Sequence, residues 1–198
     1  MLEVSNVQVY NLKEAVIAAR NPMRTVPAQH SDTEFAASLE RCEKLVRFGG
    51  GSGHTNFRSG ILVAFDVRYP QYWSMEAQRY HFLQIVSSSS KMHSLAKMDI
   101  RQACNQYVTE NSIRQLEQLV ENYNNNPCEE SFMTLMSNCP MGLELFMHVT
   151  TNYEQLATIY RQRRNHRLPE WHVFCDFIEK LPYADKLICA QKDSENCQ

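Results

Sequence analysis

Hydrophobic positions along the chain fall into short alternating runs and longer helical stripes. Val4, Val7 and Val9 within residues 3–10 predict a first strand. Asn11 followed by Glu14 is spaced as a helix start, LKEAVIAAR continues it, and Asn21-Pro22 ends it, because proline disfavours helical geometry in the residue before it. Ser31 and Glu34 have capping-box spacing. With Phe35, Leu39, Cys42 and Leu45–Val46 on one face, they predict a helix over 32–48. A second alternating run begins at Ile61 and continues to Arg68. It places Ile61, Val63, Phe65 and Val67 on one face and Leu62, Ala64, Asp66 and Arg68 on the other. Pro70 sits where a helix tolerates it, in the first turn, and the helix predicted after it holds Arg79, His81, Ser89 and Lys91.

The second half reads mainly as helix. Candidates are SLAKMDIRQACNQYV, residues 112–124 with Ile113, Leu116 and Leu119–Val120 at core spacing, and residues 129–138, closed by Cys139-Pro140. Asn124-Asn125-Asn126-Pro127 is a break between the last two. FMHVT within 143–151 predicts a strand, Asn152 caps the helix YEQLATIYRQRR, and Pro169 opens a last helix with Trp171, Phe174–Cys175, Ile178 and Leu181 inward. The polar tail 191–198 is expected to fray. Strands and helices are mixed, so the expected class is α+β, as one domain over 1–198 with a helical insertion at about 94–140.

Composition narrows the function classes. With 43% hydrophobic residues, 21% charged residues and a net charge of −2, the chain is expected to be globular, with neither an extended nucleic-acid surface nor an anionic-membrane surface. No long apolar run predicts a membrane span and no signal peptide is evident, so a cytoplasmic location is expected. The seven cysteines show no C-x-x-C spacing and read as free thiols of a reducing compartment. The seven histidines lack metal-ligand spacing, and no metal is expected.

Candidate chemistry is concentrated in a few places. Five of the six glycines lie between residues 49 and 60, together with His54, which implies either flexibility or a backbone that approaches a ligand. Residues 87–90 are four serines, either low-complexity sequence or hydroxyls turned to a ligand. Residues 161–167, RQRRNHR, are either an anion-binding cluster or a helix C-terminus whose basic residues complement the macrodipole. Arg161, Arg163 and Arg164 cannot all face one way, so at most two should reach one ligand. No HExxH, GxGxxG, GxxxxGK[ST] or GxSxG motif is present, and no catalytic nucleophile stands out.

In order, these features resemble the flavin-dependent thymidylate synthases. That family has a glycine–histidine turn, an alternating strand with a proline after it, and an Arg-His-Arg motif followed by spaced Ser, Ser and Arg-Tyr. Here GHTNFRSGILVAFDVRYP runs parallel to the first part. Arg79-Tyr80-His81 falls on Arg-His-Arg, Gln84 on the first serine, Ser89 on the second, Lys91 on the arginine and Met92 on the tyrosine. Near the end, Asn152–Leu156 takes the place of an Asn-x-Arg-x-Leu helix start, Arg163 that of the helix-end arginine, and Glu170–Phe174 that of Gln-Trp-Glu-Ile-Arg. Two family arginines become Glu154 and Phe174, and the carboxylate after the Gly-His turn gives way to Arg58-Ser59-Gly60.

The resemblance implies a thymidylate synthase-complementing-like fold: a central, mostly antiparallel sheet packed with long helices. It implies transfer of a one-carbon unit to C5 of a pyrimidine deoxynucleotide, dUMP or a variant, using FAD, NAD(P)H and methylene-tetrahydrofolate. No side chain makes a covalent attack in that chemistry, so catalysis is orientation and electrostatics. Arg79, Ser89 and Lys91 would face the nucleotide. His54, Asn56, Arg79, His81 and Arg163 would hold the flavin, with His54 on the outer, folate or nicotinamide side. Sites between subunits imply a homo-oligomer, a tetramer. Two other readings stay open: a family-fold protein that binds a nucleotide or partner without flavin chemistry, and a helical protein whose RQRRNHR cluster binds a partner.

Overall fold

The computed structural model describes residues 2–47 and 53–190, so the expected fraying of 191–198 and the turn at Gly49–Gly51 lie outside the described residues. The elements run β1 (Glu3–Tyr10), α1 (Leu12–Ala18), α2 (Asp32–Arg47), β2 (Leu62–Pro70), α3 (Gln71–Ala77), β3 (Gln84–Ser88), α4 (Lys91–Ser94), α5 (Ile100–Ala103), α6 (Glu110–Asn125), α7 (Glu129–Ser137), β4 (Glu144–Asn152), α8 (Tyr153–Arg163), α9 (Pro169–Glu179) and α10 (Ala184–Leu187). The strands form one four-stranded antiparallel sheet in the order β1-β2-β4-β3. The class is α+β, as the pattern implied.

Several local signals act as expected. Ser31 Oγ accepts from Glu34 N–H at the start of α2, and Asn152 Oδ1 accepts from Gln155 N–H at the start of α8. Asn11 does start α1, but from a left-handed conformation (φ 61°) and without a side-chain cap. Its amide instead donates to Gly60 O at 2.9 Å.

Two expectations are corrected. The helix predicted to hold Arg79, His81, Ser89 and Lys91 stops at Ala77, and Gln84–Ser88 is a strand. β-branched Ile85 and Val86 favour extended backbone, and Ser89 N–H donates to Phe146 O at 2.8 Å, tying the segment to the β4 edge. The single helix predicted for SLAKMDIRQACNQYV is broken at Met98-Asp99, because Asp99 turns its carboxylate to cap α5 through Gln102 N–H.

The chain divides into two compact units. The first comprises Met1–Ser5, Asp66–His81 and Ile85–Val149. Its helical part packs Leu95, Ile100, Leu116, Leu135 and Leu143 into one apolar cluster. The second comprises Asn6–Phe65, Phe82–Gln84 and Thr150–Gln198. There α1 packs on α2 and α8 on α9, and Phe65 meets Phe174 and Phe177 at 5.8 and 5.0 Å between ring centroids. No helix among the described residues is long and apolar enough to cross a membrane.

Strand alternation decides what the sheet presents. Val63, Phe65 and Val67 of β2 and Met147 and Val149 of β4 are buried, whereas Leu62, Arg68 and Phe146 on the opposite face are exposed. Asp66 and His148 lie half-buried on that open face.

Candidate functional site

In the first unit the open face carries a polar constellation that begins with strand register. Tyr153 N–H donates to Ile61 O and Gln71 N–H to Leu143 O, an antiparallel register that sets Asp66 opposite His148. Their side chains meet at 2.6 Å, His148 Nδ1 to Asp66 Oδ1. Two residues along β2, Arg68 Nε lies 2.8 Å from Glu144 Oε2, and its Nη2 donates to Gln102 O at 2.6 Å. Ser89 holds the end of β3 to β4 twice: its N–H donates to Phe146 O, and its Oγ accepts from Phe146 N–H at 3.1 Å. These groups, with Glu3, Ser5, Ser87 and Ser88, line a cavity of about 460 Å³.

The residues expected at the nucleotide distribute unevenly here. Ser89 lines the cavity. Lys91 is half-buried in the first turn of α4, close enough to Cys139 to oppose the upward push that burial gives that thiol. Arg79 and His81 are exposed on either side of buried Tyr80, in the turn after α3, and neither lines the cavity. Sequence reasoning missed Asp66, Arg68 and His148 as site residues; their only signal was charge at the end of an otherwise apolar strand face.

The second unit holds the other candidates. His54 and Asn56 line a cavity of about 660 Å³ with Arg41, Leu45, Phe57 and Gly60. Gly53, at φ 75°, takes a conformation that side chains disfavour, so a glycine is required at this edge of the cavity. Between the cavity-lining residues, Arg58 turns inward and is only 1% exposed. Its Nη1 lies 3.5 Å from Glu154 Oε2, while Nε and Nη2 find no partner among the described residues. Burial pulls the Arg58 pKa down, and Glu154 opposes that pull. Cys42 beside it is pushed up to about 12 by burial.

The RQRRNHR cluster spreads out, as its helical spacing required. The Arg163 guanidinium lies over the Trp171 ring, 4.8 Å from its centroid, and Arg164 lies 5.9 Å from that of Tyr160. Arg161 is exposed, within electrostatic range of Arg58. Among the described residues no cluster of histidine, cysteine or carboxylate side chains is arranged to hold a metal ion.

Neither a family model nor a curated protein matches the chain in sequence. Solved structures do match. The flavin-dependent thymidylate synthase ThyX of Helicobacter pylori, complexed with FAD and dUMP, aligns with a TM-score of 0.74 over 94% of this chain and 97% of that one, at 15% identity. A second structure of that enzyme with FAD and dUMP gives 0.73 over 95% and 97%, at 14% identity. The fold is that of the flavin-dependent thymidylate synthases.

Within that fold the two charge departures of this chain face each other. Where the family pattern has a carboxylate after the Gly-His turn and an arginine in Asn-x-Arg, this chain has Arg58 and Glu154, in contact at 3.5 Å. Glu154 is thereby held by an internal cation. The third departure, Phe174, is fully buried against Phe65, Trp171 and Phe177, so it is a core residue here.

Proposed function

We propose that this chain is a divergent flavin-dependent thymidylate synthase-like enzyme that transfers a one-carbon unit to C5 of a pyrimidine deoxynucleotide, dUMP or a variant of it. The likeness of fold over almost the whole length of two enzymes solved with FAD and dUMP carries the reading. The Arg58–Glu154 contact supports it, because Arg58 offsets the negative charge with which Glu154 would otherwise repel a phosphate.

Ser89, Lys91 and Arg79 are assigned to the nucleotide; a hydroxyl and two cations suit a phosphate monoester. His54, Asn56, Arg79, His81 and Arg163 are assigned to FAD. Within the second unit, His54 and Asn56 stand in a cavity of about 660 Å³ that has room for part of a dinucleotide. FAD would supply hydride after reduction by NAD(P)H, with methylene-tetrahydrofolate as the one-carbon donor. Around it the protein binds and orients. Arg163, already braced on Trp171, would meet its ligand without losing much side-chain freedom. A homotetramer is proposed with this reading.

The deciding measurement is FAD titration followed by absorbance and by protein fluorescence, then turnover with dUMP, NADPH and methylene-tetrahydrofolate. Saturable FAD binding that weakens about tenfold or more in Arg163→Ala supports the assignment. A protein that ignores FAD favours the alternative, a binding protein without flavin chemistry, to which burial of Phe174 at a family arginine position already leans.

A further inference from the structure

The Asp66–His148 pair stands in a row that continues past it. Ser89 pairs with Phe146 across β3 and β4, and stepping two residues along these antiparallel strands sets Ser87 opposite His148. Directly opposed residues share a sheet face, with Cβ atoms about 4.5–5.5 Å apart. Asp66 stands opposite His148 on the other side, on β2. One face therefore carries Asp66, His148 and Ser87 in order across three neighbouring strands. All three line the cavity of about 460 Å³. The contact of 2.6 Å to Asp66 places the imidazole proton on Nδ1, leaving Nε2 as the basic atom on the far edge of the ring.

We infer that Ser87 is a nucleophile activated by His148, with Asp66 as its positioning residue, and that the cavity takes small carboxylic esters. Two donors are available for the oxyanion. Arg68 spends Nε on Glu144 and Nη2 on Gln102 O, and its Nη1 has no partner among the described residues. Ser89 Oγ accepts from Phe146 N–H, which leaves its own hydroxyl hydrogen to donate. Exposed Phe146 in the same cavity suits a short apolar acyl group.

Ser87 Oγ attacks the carbonyl carbon while its proton passes to His148 Nε2. The carbonyl π pair moves onto oxygen beside Arg68 Nη1 and the Ser89 hydroxyl. Collapse expels the alkoxide, which takes the proton from Nε2 and leaves an acyl-serine. A water then gives its proton to Nε2 and attacks the acyl carbon, and Ser87 departs with that proton, so ester and water become acid and alcohol. No cofactor is consumed, and Ser89 is shared with the nucleotide reading, so the test is made without nucleotide.

The test is a fluorophosphonate probe on the full chain without FAD or nucleotide, followed by peptide mass spectrometry and by p-nitrophenyl acetate hydrolysis. The expected result is a single phosphonyl adduct on Ser87, absent in Ser87→Ala. Labelling should be at least about 100-fold slower in His148→Gln. Asp66→Asn, which offers Nδ1 the wrong partner, should slow it, and Asp66→Glu should restore part of the rate while the thermal midpoint stays at the parent value. The wild-type experiment decides even if a variant misfolds. No adduct, an adduct on another serine, or unchanged labelling of folded His148→Gln overturns the inference.

Discussion

Truncating Glu154 to alanine isolates the least balanced charge in the described structure. Arg58 is 1% exposed, two of its nitrogens have no partner among the described residues, and its remaining contact is Glu154 at 3.5 Å. Removing one partner of a fully buried pair costs about 3–5 kcal/mol. Here the contact is long for a hydrogen bond and the Glu154 side chain is 36% exposed, so water already screens part of it. The cost expected for Glu154→Ala is therefore about 2–3 kcal/mol, a fall in Tm of roughly 4–12 °C for a chain of this size. Urea unfolding of the wild type, Glu154→Ala, Arg58→Met and the double variant measures it. Arg58→Met/Glu154→Ala should recover most of the loss, because no isolated charge remains inside, and the exchange Arg58→Glu/Glu154→Arg should move towards the wild type. A Glu154→Ala protein within about 0.5 kcal/mol of the parent, or a double variant as unstable as the sum of the single ones, would refute the reasoning.

Three further outcomes are expected. A Cβ at Gly142 would sit 2.5 Å from Val108 Cγ2 and 2.7 Å from Asn105 Oδ1, which itself accepts from Tyr107 N–H, so Gly142→Ala should lower stability by about 1–3 kcal/mol in thermal melts. Hydrogen bonds from Arg101 and then Arg114 hold the Glu110 carboxyl down at about 2, from an ordinary 4.5. A depressed acid contributes stability above its unfolded pKa and loses it as pH falls through the folded one, so Glu110→Gln should flatten the acid limb of the stability curve between pH 4.5 and 2. Cys128 is exposed and its pKa is lowered by Ser131, whereas burial pushes Cys42 and Cys175 up to about 12. Among the six described cysteines Cys128 should therefore react first with a disulfide reagent at neutral pH, as peptide mapping after partial labelling would show.

The site was partly legible. His54, marked by the glycine cluster, lines one cavity together with Asn56, which only the family resemblance had singled out, and Ser89 lines another. Arg79 and His81 were assigned to a helix that tertiary pairing replaced with a turn and an edge strand. The β-branched Ile85 and Val86 already favoured extended backbone there, and the five-residue strand gains its hydrogen bonds from β4, which lies more than fifty residues away in sequence.

Periodicity alone determined most elements of this chain: the alternating faces of β2, the amphipathic α2 and α6, and the caps at Ser31 and Asn152 follow from spacing and local hydrogen bonding, which the chain carries within itself. Their ordered resemblance to a known family also anticipated the fold. Tertiary structure decided what the polar residues do. Arg58 and Glu154 are 96 positions apart and Asp66 and His148 are 82 apart, and each member looks like an isolated charge when read along the chain. Strand register and helix packing turn the first two into an internal pair and the second two into a contacting pair on one face of the sheet. Such contacts depend on long-range closure, which no local spacing encodes.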